Sequence, residues 1–206
     1  MDTHVRRSVR IDGVVIEYDE RVLEPRPWTA LQSQWAAELL DDAPAGPVLE
    51  LCTGAGHIGL LVAARTDRRL VAVDRDPVAC SFARLNAEGA GVDHRVEVRE
   101  ATLVDAVHDG ETFALVLADP PWVPTSQVER FPDDPTGAID GGDDGLDVAR
   151  TCIDVARDAL PAGASLLLQL GTDGQADVLL EAAVADGWAD GGRRRAARGV
   201  VLRLVR

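Results

Sequence analysis

The sequence predicts an α/β protein built on an open, mostly parallel sheet, with helices on both faces and an antiparallel last strand. Three observations carry this. Short apolar runs bounded by turn residues recur along the chain, helix-like stretches separate them, and the chain ends on a strand-like run. Regular strand–helix alternation implies parallel strands joined by right-handed crossovers. Runs this short and this rich in Leu and Val suit strands buried on both faces.

Taken in order, residues 1–27 read as a short N-terminal extension, followed by a helix over Thr29–Leu40. The strand Pro47–Leu51 leads into a helix over His57–Arg65, and Leu70–Val73 leads into Pro77–Gly89. The second of these helices has Pro77 at its first position after Asp76, then apolar residues at Val78, Phe82 and Leu85. Strands follow at Arg95–Val98 and Phe113–Ala118, a helix at Gly145–Leu160, a strand at Ser165–Leu170 and a helix at Gln175–Ala185. The arginine-rich Gly191–Arg198 reads as a loop joining two short strands, and Gly199–Val205 as the final strand. With no internal repeat or low-complexity linker, residues 28–206 are expected to form one domain.

Composition excludes several classes. The 206 residues are 46% hydrophobic, which argues against disorder. No run of about 18 apolar residues is present to span a membrane, and the start lacks the apolar centre of a signal peptide. A net charge of −14 disfavours non-specific nucleic-acid binding, which needs a basic footprint. Three cysteines (Cys52, Cys80, Cys152) without a CxxC motif suggest reduced thiols and a cytoplasmic location. The four histidines are scattered, with no metal-ligand spacing. Every basic residue is Arg and Asn86 is the sole Asn, a bias expected from GC-rich coding DNA.

Two segments carry chemistry. Glu50-Leu51-Cys52-Thr53-Gly54-Ala55-Gly56-His57-Ile58-Gly59 follows the first buried strand and opens a helix, and its glycines fit GxGxxG. Such glycines let backbone approach a nucleotide-like ligand and let the helix pack on the sheet. Asp74 ends the next strand, where a carboxylate can accept from both ribose hydroxyls. Glu50, at the strand end, would repel a pyrophosphate at the helix N-terminus and suit a cationic ligand instead. That disfavours a nicotinamide dehydrogenase.

The second segment, Asp119-Pro120-Pro121-Trp122, ends the fourth strand. Two prolines force the chain out of the sheet at the edge where such folds bind ligands. Asp119 and the Pro120 carbonyl offer two acceptors and Trp122 a flat face, a set matched to a planar –NH2 group. Such acceptors strengthen as the nitrogen turns tetrahedral and gains positive charge, which favours transfer to it.

With these motifs the chain resembles the class I S-adenosylmethionine-dependent methyltransferases of the HemK/PrmC type, which methylate the glutamine amide of peptide-chain release factors. Val22-Leu-Glu-Pro-Arg-Pro-Trp-Thr29 is similar to that family's proline-arginine-proline segment, and Asp119–Trp122 to its Asn-Pro-Pro-Tyr signature. Ile139–Asp147 with Arg150 resembles its Gly-Gly-x-Asp-Gly-Leu-Asp stretch, and Leu168–Gln175 its fifth strand and turn. The resemblance implies a Rossmann-like fold with a seven-stranded sheet and S-adenosylmethionine as cofactor. It implies cofactor contacts from Glu50, Cys52, Thr53, Gly54, Gly56, Asp74, Thr102, Leu103 and Asp119. Asp119, Pro120, Pro121 and Trp122 would hold the substrate, with Asp119, Pro120 and Trp122 catalytic. Cys52 stands where the family has glycine, and Thr102-Leu103 where an acidic residue contacts adenine. On its own, the Asp143–Asp147 cluster reads equally as an acidic first helical turn.

A protein glutamine is therefore the expected acceptor. The family's bacterial members carry a helical domain that grips the release factor, for which a chain of this length is expected to leave no room. Shorter relatives work with a small activating partner protein, so such a partner is conceivable here. Asp with Trp also resembles adenine-N6 methyltransferases of RNA or DNA, with Arg193–Arg195 and Arg198 forming either a basic patch or a solvated loop. A small-molecule methyltransferase and a non-catalytic methyltransferase-like scaffold complete the alternatives.

Overall fold

The computed structural model describes residues 4–206, and these form a seven-stranded sheet with helical layers on both faces, as the apolar pattern predicts. The strands are β3 (Val48–Leu51), β4 (Leu70–Asp74), β5 (Val96–Glu100), β6 (Leu115–Ala118), β7 (Ser165–Leu170), β8 (Ala189–Arg195) and β9 (Val200–Val205). They lie in the order β5-β4-β3-β6-β7-β9-β8, parallel from β5 to β7 and antiparallel at β9 and β8. The strand order reverses beside β3, whose neighbours are β4 and β6. That reversal opens a crevice at the carboxyl ends of the strands.

Helices α1 (Ala30–Leu40), α2 (His57–Arg65) and α3 (Pro77–Gly89) cover one face. There Trp35, Ile58, Leu60 and Phe82 pack against Val48, Leu70, Leu115 and Leu117. Helices α5 (Asp147–Ala159) and α6 (Asp173–Ala185) cover the other, with Cys152, Ile153, Ala156 and Leu179 against Leu49, Leu51, Val116 and Leu168. Alternate residues of β3 thus point into different layers, the period-2 rule of a strand.

Three regions depart from the expectation. Residues 7–18 form a hairpin of β1 (Arg7–Ile11) and β2 (Val14–Tyr18), turned at Asp12 (φ 45°) and Gly13 (φ 90°). An Asp-Gly pair between apolar-alternating runs is the signal for this turn. Its side chains Ile16 and Tyr18 enter the α1–α3 layer. Asn86 fastens it: its amide accepts from Glu17 N and donates to Glu17 O and Ala55 O, at 2.7–2.9 Å.

The second departure is the arginine-rich segment, most of which is strand β8 rather than loop. Its composition reads as solvated, but an edge strand tolerates charge because only one side is paired. Here Arg193 and Arg195 bind Asp173, and Arg194 grips Glu38 while lying 4.6 Å over Trp35. Thirdly, the stretch after β6 contains a 3-10 segment (Thr125–Arg130) and a short helix, α4 (Thr136–Ile139), that no periodicity announced. No helix among the described residues is long and apolar enough to cross a membrane.

Candidate active site

A cavity of about 810 Å³ opens at the carboxyl ends of β3, β4, β5 and β6. Its walls include Cys52, Thr53 and Gly54 after β3, Asp74 at the end of β4, Thr102 and Leu103 after β5, and Asp119 and Pro121 after β6. The two segments singled out in the sequence therefore share one cavity. Arg21–Glu24 and Arg26 also line it, so the wall crosses the expected boundary at residue 28.

The loop after β3 is shaped by left-handed backbone. Gly54 (φ 54°) and Gly56 (φ 87°) take conformations that favour glycine, and Cys52 (φ 58°) takes one without being glycine. A side chain on Gly54 would meet nothing within 4 Å, so its bare backbone faces open space in the cavity wall. Gly59 serves the packing role expected of the third glycine: a Cβ there would run into the Glu50 carboxyl and Leu70.

Glu50 does not line the cavity. The alternation of β3 sends it beneath the loop, where it is 2% exposed. It accepts from the Thr53 hydroxyl and from Gly59 N at 2.9 Å. Burial pushes its carboxyl up to about 8, against those two hydrogen bonds. A carboxyl protonated near neutral pH in this position braces the loop rather than presenting a charge to a ligand. Gly56 is likewise outside the wall, wedged against Leu60 and Ala83.

Asp74 is placed differently. Its carboxylate accepts from Gly54 N at 2.8 Å and Asp76 N at 3.0 Å, one on each oxygen, and faces the cavity. Each oxygen keeps a lone pair, enough to accept from two ribose hydroxyls. Burial raises its pKa and the backbone donors oppose the rise. After β5, the Thr102 hydroxyl donates to Asp105 at 2.6 Å, which leaves its oxygen free as an acceptor. The Cys52 thiol is held protonated by the adjacent Cys152 thiol and by burial.

On the opposite side of β3, Asp119 has no hydrogen-bond partner among the described residues for its carboxyl, and burial alone raises it to about 7. Pro120 is buried and, with Trp122, lies outside the cavity wall, whereas Pro121 is part of it. Trp122 is half-buried, its ring so close to Gly171 that a Cβ there would clash with it. Its carbonyl accepts from the Gln175 amide at 2.9 Å. The Gly-Gly loop packs on the same turn, since a Cβ on Gly141 would lie 2.7 Å from Pro121 O. Asp147 lines the cavity, while Asp140 and Asp144 bind Thr125, Gly142, Leu146 and Arg150 within the loop.

Sequence reasoning missed several members. His57 lines the cavity, joined to the Thr29 hydroxyl at 2.8 Å, and burial lowers it to about 4, so it is neutral. Arg26 reaches Asp134 at 2.8 Å, tying the Pro-Arg-Pro segment to the stretch after β6. Gln32, fully buried on α1, donates to Ala118 O at 3.1 Å and Leu167 O at 2.9 Å, steadying the strand that delivers Asp119. The family-like Pro-Arg-Pro segment was the signal for Arg26 and the glycine loop the signal for His57; nothing local marks Gln32.

The residues fit S-adenosylmethionine. Asp74 has spare acceptor capacity, Gly54 offers bare backbone, and Asp119 is an unpartnered carboxyl in the same wall. Residues 32–131 match the methyltransferase small domain. The release factor glutamine methyltransferase of Deinococcus radiodurans is 37% identical over 172 residues, covering 81% of this chain and 60% of that protein. The ribosomal protein uL3 glutamine methyltransferase of Burkholderia pseudomallei is 28% identical over 190 residues, covering 82% and 60%. The chain thus spans about 60% of the length of these relatives. In fold, it is similar to the Thermus thermophilus 16S rRNA methyltransferase RsmC solved with AdoMet and guanosine: TM-score 0.70, 20% identity, 98% of this chain and 50% of that one. Sheet order, cofactor loop and relatives agree: the chain is similar to the class I S-adenosylmethionine-dependent methyltransferases, the release factor glutamine methyltransferases among them.

Proposed function

We propose that the chain transfers a methyl group to the side-chain amide nitrogen of a glutamine in a protein. The observation that carries this is the Asp119 carboxyl, half-buried in the cavity wall it shares with the glycine loop and without a hydrogen-bond partner among the described residues. A carboxylate that faces a cavity with its acceptor sites unfilled by the protein is available to a substrate donor. Bound S-adenosylmethionine supplies an electrophilic methyl group on its sulfonium. On the cofactor side, Asp74 takes the ribose hydroxyls, Thr53 and Gly54 offer backbone, and Cys52, Thr102 and Leu103 complete the wall, with Glu50 and Gly56 supporting from behind.

On the acceptor side, Asp119 accepts one N–H bond and Pro121 closes the wall, while the Pro120 carbonyl and the Trp122 ring, beyond that wall, take the second N–H bond and the amide plane of an acceptor that enters over the turn. An amide nitrogen is a poor nucleophile because its lone pair is delocalised. Acceptors that strengthen as positive charge develops on it lower the barrier selectively. Fixing the nitrogen before the methyl supplies up to about 7–11 kcal/mol through orientation.

The names of the relatives favour a protein glutamine over adenine, and so does the state of the arginines. Of the basic patch an RNA or DNA substrate would need, Arg193, Arg194 and Arg195 are committed to Asp173, Asp177 and Glu38, and Arg198 lies 5.7 Å over the Trp28 ring. Arg21–Glu24, Arg26, Pro135, Gly137 and Ala138 in the cavity wall, or a small partner protein, would contribute to substrate choice. The test is methyl-labelled S-adenosylmethionine with cell lysate. Label released from protein as N5-methylglutamine is expected. Label in nucleic acid would overturn the acceptor, and no label with no calorimetric S-adenosylmethionine binding would leave only the scaffold reading.

A further inference from the structure

Gln175, in the first turn of α6, makes an arrangement that no motif foretold. Its side-chain oxygen accepts from Gly171 N at 3.1 Å, and its nitrogen donates to Trp122 O at 2.9 Å. One side chain thus clamps the turn after β6 to the turn after β7, 53 residues later in the chain. Two glycines leave room for it. A Cβ on Gly171 would strike the six-membered ring of Trp122, and a Cβ on Gly145 would strike Trp122 O and come within 3.0 Å of the Gln175 nitrogen. The backbone and one ring face of Trp122 are therefore fixed from β7, α6 and the Gly-Gly loop together.

Helix capping is the competing account. Thr172 is the N-cap of α6, its hydroxyl accepting from Gln175 N at 3.2 Å, and a Gln three residues after such a cap commonly reaches back to a backbone N–H. Capping explains the Gly171 bond. It does not explain the donor half of the amide, which points away from the helix to Trp122 O.

We propose that Gln175 is a positioning residue for methyl transfer: by holding the Trp122 carbonyl against the end of β7, it sets the turn that carries Asp119 and the stacking ring. This rests on the reading of Asp119–Trp122 as the acceptor site. The two halves of the amide can be separated. Gln175→Glu keeps an oxygen for Gly171 N and adds a charge favourable at a helix N-terminus, but turns the donor to Trp122 O into a repelling acceptor. Gln175→Ala removes both.

The experiment uses full-length protein labelled with 5-fluorotryptophan, the Trp122 resonance being assigned with Trp122→Phe. For Gln175→Glu the expectation is an unchanged thermal midpoint, a shifted or broadened Trp122 resonance and S-adenosylhomocysteine affinity within about twofold of the parent. Lysate methylation should fall about 10²-fold, the loss typical of a displacement near 1 Å. A Trp122 resonance that stays at the parental position in both variants overturns the proposal and leaves Gln175 as a helix cap. A shifted resonance with parental methylation overturns it too, since the turn would then tolerate displacement. Should the parent itself methylate nothing, the acceptor reading fails, while the resonance still decides the clamp.

Discussion

The loop after β3 and the turn after β6 sit on either side of one cavity and satisfy their acids in opposite ways. On the β3–β4 side both carboxyls are partnered by the protein: Glu50 by Thr53 and Gly59, Asp74 by Gly54 and Asp76. On the β6 side Asp119 has no partner among the described residues, although the turn around it is clamped by Gln32, Gln175 and the Gly-Gly loop. The β3–β4 side, which we propose takes the cofactor, therefore has its carboxyls partnered by the protein itself. The β6 side, the proposed acceptor side, is held by contacts along its backbone but leaves one carboxyl unpaired, which suits a group meant to pair with the changing charge of a substrate.

That contrast can be broken most severely at Asp119. Asp119→Ala is expected to lower methyl transfer about 10²–10³-fold, the range for losing one transition-state acceptor. Calorimetric affinity for S-adenosylhomocysteine should hold within about threefold. Glu50→Ala should do the reverse. It strands a buried N–H and a hydroxyl, costing about 1–3 kcal/mol of stability in a urea titration, and weakens cofactor binding by loosening the loop.

The acids also separate by pH. With Asp119 raised to about 7, its charged and accepting form is lost as pH falls below that value. Single-turnover transfer should therefore drop about tenfold per unit below pH 7, and Asp119→Asn should flatten that limb. The smallest effect belongs to Cys52. Its left-handed backbone costs an L-residue about 1–2 kcal/mol, against the 0.4–1 kcal/mol or so a glycine loses through chain entropy. Cys52→Gly should leave urea stability equal or up to about 1 kcal/mol higher; a clear loss would mean that thiol packing outweighs strain.

Much of the site was legible because strand ends can be counted. Gly54, Asp74 and Asp119 each follow a buried apolar run, Thr102 follows the part-exposed edge strand β5, and parallel strands bring such ends to one edge. Glu50 misled for a related reason: it also ends a strand, but its parity places it under α2 instead of in the crevice. Trp122 was legible as a partner for a planar group, while its ring position depends on Gly171, which is remote in sequence. The arginine run misled through composition, because its paired acids, Glu38, Asp173 and Asp177, lie on α1 and α6.

The sequence by itself determined the α/β class, the open sheet and the chemistry available at its edge, since periodicity, turn residues and side-chain type are local properties. The tertiary structure alone decided which acid is spent on structure and which is left for a ligand. Hydrogen-bond partners such as Gly59, Gln32 and Gln175 are brought within about 3 Å only when helices pack on the sheet. The −14 charge shows the same division: its sign was evident in the composition, and the protein's own donors settle which carboxyls remain to act.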